Sequence, residues 1–246
     1  MSAEIWRRLG AEARTAEATL APFLADTAGA PDAAGGLAAL LARLSPSPLL
    51  EPGALRDLAR ATLLPQDVDA TLADLQAITI RNFEPGGLLG TWIGGRGFHM
   101  LLAHRLNHRL WRQGQHALAM ACKTGAAMLG ADIHPAARIG QRIFLDHGIG
   151  VVIGETAVIE DDVSLWHGVT LGSTLTRGGE DRHPKVRRGA VLGAGATLLG
   201  NIEIGEDAVI AAGSVVLAPV PPRTTMAGNP ATPRLRHRHP YAEFRA

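Results

Sequence analysis

The sequence predicts an α + β-solenoid: an N-terminal α-helical bundle over residues 1–131, a parallel β-helix of hexapeptide repeats over 132–222, and a tail over 223–246. Three observations carry this reading. The first half is built from Ala, Leu, Arg and Glu runs broken by Gly/Pro clusters, with apolar residues at fourfold spacing. The second half replaces that period with an aliphatic residue at every sixth position. Glycine is abundant and large rings are scarce, 29 Gly against five Phe, four Trp and one Tyr in 246 residues, which suits a chain turning many tight corners around a narrow interior.

In chain order, the helical runs are separated at 28–36, 45–53 and 85–97. Phe98, Leu102, Leu106 and Leu110 then lay one apolar stripe along a helix that ends near Gly114. Beyond Asp132, Ile133, Ile139 and Leu145 hold the sixfold spacing, and after a slip of two residues Ile153, Ile159, Leu165 and Leu171 resume it. Val186, Leu192, Leu198, Ile204, Ile210 and Val216 continue it without a miss. Four residues after most of these aliphatics stands a small or β-branched residue, as at Ala137, Ala157, Val163, Val169, Ala190, Ala196, Ala208 and Ser214. Three sextets close one triangular coil, so the thirteen sextets predict about four coils stacked at about 4.8 Å.

Charge and cysteine content exclude several function classes. The 24 Lys+Arg and 23 Asp+Glu nearly cancel, leaving no electrostatic footprint for nucleic acid or an anionic membrane. A single cysteine, Cys122, permits no internal disulfide and no multi-thiolate metal site. The first residues lack a signal-peptide pattern and no run of 18 apolar residues occurs, so a cytoplasmic location is expected.

Insertions in a regular coil leave it as loops, often on a functional face. Two interruptions are present. The slip between Leu145 and Ile153 follows Asp146 and His147, and the gap between Leu171 and Val186 holds GSTLTRGGEDRHPK. Each carries a histidine beside another ionisable group. On residue type alone, His147 as a hydrogen-bonded corner and Arg182/His183 as a solvated loop stand level with a catalytic role.

The stretch DIHPAARIGQRIFLDHGIGVVIGETAVIEDDVSLWHGVTLG, with GGEDRHPKVRRGAVLGAGATLLGNIEIGEDAVIAAGSVV after it, resembles the serine O-acetyltransferases, hexapeptide enzymes that acetylate L-serine from acetyl-CoA in cysteine biosynthesis. The likeness runs from about Asp132 to Pro222, and GFHMLLAHRLNHRLW also looks like the last helices before that family's coil. It implies a left-handed coil and direct acetyl transfer, with no bound cofactor and no metal, acetyl-CoA being a co-substrate. His147 falls on the general base and Asp132 on the carboxylate that orients it; such a pair makes a poor nucleophile, the serine hydroxyl, reactive. Asp146 falls on the group that holds the substrate ammonium and Arg182 on the one that holds its carboxylate, while His183 belongs to the amino-acid site or to proton handling. Ala194 and Ala212, with Gly172 and Ser173, are the expected acetyl-CoA contacts. The resemblance further implies a homotrimer or a hexamer of two trimers, with the active site between neighbouring subunits, and inhibition by cysteine.

Two departures accompany it. Relatives carry Arg-Asp-Pro-Ala before the GFH helix, whose aspartate is a second anchor for the serine ammonium; here the segment is Arg81-Asn82-Phe83-Glu84-Pro85, so Asn82 or, with a gap, Glu84 takes that place. The chain also ends without the terminal isoleucine that relatives insert into O-acetylserine sulfhydrylase, which argues against that complex. The alternative within acyl transfer is a hexapeptide acetyltransferase acting on another amino acid, a sugar or an antibiotic hydroxyl. A zinc site like that of the β-helical carbonic anhydrases lacks its His-x4-His spacing, and a purely structural trimerisation coil leaves the ionisable constellation without a purpose.

Overall fold

The computed structural model describes residues 1–44, 47, 49–174, 181–234 and 240–241. The chain divides into two compact units, Met1–Leu129 and Gly130–Ala246.

The first unit contains eight α-helices among the described residues: α1 (Ser2–Arg14), α2 (Ala21–Asp26), α3 (Ala33–Leu44), α4 (Pro52–Thr62), α5 (Pro65–Arg81), α6 (Gly87–Gly94), α7 (Arg96–Arg112) and α8 (His116–Ala127). The predicted stripe of α7 is buried throughout, with Phe98, Leu102, Leu106 and Leu110 at 1% exposure or less. Each such side chain contributes about 1.5–3 kcal/mol relative to exposure. One expectation fails: the Gly/Pro-rich 85–97 segment, read as a break, contains α6. Two features stabilise it. Leu88 and Trp92 bury against the core, and carboxylates meet its first amides, Leu89 N–H donating to Glu12 Oε2 at 2.8 Å and Gly86 N–H to Glu84 Oε1 at 3.2 Å. Gly90 suits this position, because a Cβ would stand 2.9 Å from that same Glu84 oxygen and the Glu84 side chain would have to shift.

In the second unit the chain visits three sheets in rotation, every sheet taking each third strand in parallel. The first sheet stacks Asp132–Ile133, Val152–Ile153, Thr170–Gly172, Thr197–Leu199 and Val215–Val216. The second stacks Arg138–Ile139, Val158–Ile159, Lys185–Val186 and Glu203–Ile204. The third stacks Phe144–Leu145, Ser164–Leu165, Val191–Leu192, Val209–Ile210 and Thr225–Gly228, closed by the antiparallel Ala231–Arg234. Register keeps the sextet positions aligned, Ile153 opposite Leu171 and Leu198 opposite Val216. Twelve of the thirteen sextet aliphatics are buried and Ile139 is half-buried; the eight small partners named above are buried as well.

The sheets run past residue 222, into the segment expected as tail. Val220 bridges to Ile204, and Val220 and Met226, six apart, are both buried, so the period restarts after a shift that Val216 to Val220 conceals.

Three corners join the sheets. The first, from first to second sheet, comprises 134–137, 154–157, 200–202 and the described parts of 173–184. The second comprises 140–143, 160–163, 187–190 and 205–208, and it is braced by ion pairs: Arg142 to Asp162 at 2.7 Å, and Arg187 to Glu160 at 2.8 Å and to Glu203 at 2.5 Å. The third, from third to first sheet, comprises 146–151, 166–169, 193–196 and 211–214.

Candidate active site

The two-residue slip in the repeat makes the third corner bulge at its first level. Asp146 N–H is held by the Leu165 carbonyl at 2.9 Å, Gly148 N–H turns back to the Asp146 carbonyl at 2.6 Å, and His147 between them takes φ +56°. Arg142, Asp162 and Asp207 take the same left-handed conformation at coil corners, so it is a way of turning the chain that here carries a histidine. The turn pushes the imidazole outward: the His147 side chain is 69% exposed, while the Asp146 carboxylate beside it is 15% exposed with Oδ1 at 3.5 Å from His147 Nε2. Asp132 opens the first sheet, its N–H bonded to the carbonyl of Val151, the residue that ends this corner. The Asp146 carboxylate thus lies beside the His147 ring, and Asp132 begins the strand paired with the one that follows this corner.

Above His147 on the same corner come His167, Ala194 and Ala212, one per level. Gly195 N–H bonds the His167 carbonyl and Gly213 N–H bonds the Ala194 carbonyl, both in the upward stacking of this corner. The His147 and His167 ring centroids are 6.1 Å apart. Gly172 and Ser173 do not join this column. Gly172 ends, and Ser173 follows, a first-sheet strand whose beginning lies at the third corner, so they stand at the first corner instead.

The first corner holds the second cluster. The residues after the 175–180 segment fold back over the level at 154–156, and His183 packs so tightly on Gly154 that a Cβ there would overlap its ring. Thr156 ties this return. Its Oγ1 accepts from Arg182 N–H at 3.0 Å and His183 N–H at 3.1 Å, and lies 2.8 Å from His183 Nδ1. Arg182 Nη2 donates to Glu155 Oε2 at 2.6 Å; Lys185 Nζ donates to Asp181 Oδ1 and to the His183 carbonyl, each at 2.6 Å. The electrostatics follow. The Arg182 guanidinium holds Glu155 below the usual carboxylate range, the Lys185 ammonium does the same for Asp181, and burial, reinforced by Arg182 and Lys185, depresses the His183 pKa. A cavity of about 330 Å³ opens here, lined by Ala136, Arg138, Glu155, Thr156, Ala157 and Asp181.

His147 and His183 therefore occupy different corners of the chain. Asn82 and Glu84 lie in the helical unit, where Asn82 caps the end of α5 and donates from Nδ2 to Glu84 Oε2 at 3.4 Å. Cys122 is buried, and burial pushes its thiol up to about 11, outside nucleophilic range at neutral pH. Among the described residues no group of three His, Cys, Asp or Glu is placed to hold a metal ion, and no helix is long and apolar enough to cross a membrane. Sequence reading missed Gly154, Glu155, Thr156 and Lys185. The only signal for them was that GET follows Ile153 at a corner, and that Lys185 lies four residues after Asp181.

Comparison with known proteins places this geometry in context. The pattern of the bacterial transferase hexapeptide (six repeats) matches residues 183–218. A serine acetyltransferase of Escherichia coli strain K12 is 44% identical over 234 residues, covering 92% of this chain and 85% of its own. Among solved structures, a serine acetyltransferase from Brucella abortus strain S19 in complex with coenzyme A superposes with a TM-score of 0.90 at 39% identity, covering 95% of this chain and 96% of its own. Soybean serine acetyltransferase complexed with serine superposes at 0.87 and 44% identity, covering 94% and 97%.

Proposed function

The chain belongs to the serine acetyltransferase family, and from that premise we propose that it transfers the acetyl group of acetyl-CoA to the hydroxyl of L-serine, giving O-acetyl-L-serine and CoA, with His147 as general base. The observation that carries the reading is the match across nine-tenths of the chain to relatives whose solved structures hold CoA and serine. The exposed, outward-thrust His147 beside a shielded carboxylate is the local support.

In this reading His147 takes the serine hydroxyl proton as the oxygen attacks the thioester carbonyl. The tetrahedral oxyanion collapses, the C–S bond breaks, and the proton passes from the imidazolium to the departing CoA thiolate. A base of this kind supplies about 10²–10⁴-fold, the remainder coming from positioning and oxyanion stabilisation. The inert Cys122 favours direct transfer over an acyl-cysteine. Asp146 or Asp132 steadies the imidazolium, and Asp146 also faces the substrate ammonium. Arg182 receives the substrate carboxylate: its guanidinium carries five N–H donors in a fork, so it can keep Glu155 on one edge and offer another. Asn82 or Glu84 supplies the last ammonium contact. The pantetheine arm of acetyl-CoA lies along Ala194 and Ala212.

The same placement supports an oligomeric reading. With His147 on the third corner and His183 on the first, a single serine reaches both across a boundary between protomers, as does an acetyl-CoA touching both Ala194 and Gly172/Ser173. We take the assembly as a trimer, or two trimers, of left-handed β-helices, working in the cytoplasm. The test is thiol release from acetyl-CoA with L-serine, L-homoserine, L-threonine and sugars, comparing the wild type with His147→Ala. Serine-dependent release that falls by about 10²-fold or more in the variant is expected; acceptor-independent release, or full activity in the variant, defeats the reading.

A further inference from the structure

Thr156 sits where one hydroxyl governs the protonation of another residue's ring. A threonine hydroxyl has two acceptor positions and one proton to give. Both acceptor positions are taken by groups that can only donate, the backbone amides of Arg182 and His183 at 3.0 and 3.1 Å. The remaining O–H has His183 Nδ1 as a neighbour at 2.8 Å. A second donor converges on the same nitrogen, since Thr156 N–H lies 3.2 Å from it. The Asp181 carboxylate also feels the Thr156 hydroxyl, but the backbone N–H has no alternative role, so Nδ1 is an acceptor in either case. A proton at Nδ1 would face two donors, which excludes both the Nδ1–H tautomer and the imidazolium while the knot is intact.

We propose that Thr156 is a positioning residue that fixes His183 in the Nε2–H form, so that the ring presents a hydrogen-bond donor to the bound amino acid and accepts no proton from it. His147 is then the sole base of the pair. The proposal rests on the placement of His183 in the serine site and adds to it a tautomer and the group that sets it. Gly154 completes the device: having no Cβ, it lets the Cδ2–Nε2 side of the ring come close to its backbone. Lys185 holds the His183 carbonyl from the opposite direction, so the backbone that carries the ring is fixed as well.

The experiment uses the intact protein labelled with ¹⁵N-histidine, with the His183 resonances assigned by their loss in His183→Ala. In the wild type at neutral pH, His183 Nδ1 is expected as an unprotonated ring nitrogen and Nε2 as a protonated one; the reverse pattern overturns the proposal. Thr156→Val, which keeps the shape and removes the hydroxyl, is expected to mix the tautomers and to raise the serine KM about ten- to hundredfold, the effect of depriving a buried polar group of its partner, with the acetyl-CoA KM unchanged. Thr156→Ser is expected to restore both, and His183→Gln, whose amide reaches the Nε2 position, to retain more activity than His183→Asn. Valine performing as well as serine overturns the role given to Thr156. If His183→Ala leaves serine kinetics intact, the site assignment falls while the spectrum still decides the tautomer.

Discussion

Replacing Gly154 by alanine isolates the packing that seats His183. No unusual backbone conformation protects this glycine, so the effect is steric. An added Cβ would stand 2.8 Å from His183 Cε1 and nearer still to Cδ2 and Nε2, where ordinary contact begins at 3.4 Å. The ring must retreat by more than half an ångström even at its best-placed atom, which stretches the 2.8 Å contact of Nδ1 to Thr156 beyond hydrogen-bond range. Two stability effects compete. A glycine-to-alanine change gains about 0.4–1 kcal/mol from the unfolded chain, whereas forcing a methyl into packed surroundings costs about 1–3 kcal/mol. The steric cost wins, and a modest fall in Tm is expected. The catalytic effect is larger, because misplacing a binding group by about 1 Å costs on the order of 10²-fold. Steady-state thiol release should show kcat/KM for serine reduced by about 10–100-fold with the fold retained by circular dichroism. An alanine variant with wild-type kcat/KM and Tm would refute the argument that this ring must rest on bare backbone.

Three further outcomes follow from the geometry. His183 and His99 both have pKa values depressed below 6.5, chiefly by burial, so below that pH the unfolded chain binds protons the folded one refuses. Their contribution is intact above about 6.5 and declines as pH falls toward the folded values, so denaturant titrations should show stability dropping between pH 7 and 5, less steeply in His183→Gln. Asn82→Asp should lower the serine KM by restoring an ammonium contact; an unchanged or higher value, with a raised KM in Glu84→Gln, assigns that contact to Glu84. Arg142→Met should lower stability by about 1 kcal/mol through loss of its bidentate pair with Asp162, with the difference between variant and wild-type Tm shrinking in high salt.

The coil was legible because its interior tolerates so little. A buried position that recurs every six residues admits Ile, Leu or Val and almost nothing else, and twelve of thirteen such positions are buried. The last turn escaped because Pro219, Pro221 and Pro222 accompany a four-residue step from Val216 to Val220, which hides the resumption at Met226. Helix α6 escaped for a different reason: its stability comes from Glu12, more than seventy residues upstream, and local glycine content argued the other way. At the site, His147 announced itself by interrupting the period, and Arg182 and His183 by lying in the insertion. Thr156 could not, since nothing in its own neighbourhood reveals that residues 26 and 27 positions later return to its hydroxyl. Nor does sequence tell that the Asp146 carboxylate comes to 3.5 Å from the His147 ring.

The third corner also works as a graduated scale. His147, His167, Ala194 and Ala212 occupy successive levels, so the distance from the first to the last is three strand spacings, about 14 Å. A thioester delivered to His147 by a carrier gripped at Ala212 must hang from an arm of that reach, and a truncated carrier falls short by whole steps. The repeat thus sets a length as well as a shape, and under the proposed function that length is the one the acyl carrier's arm has to match.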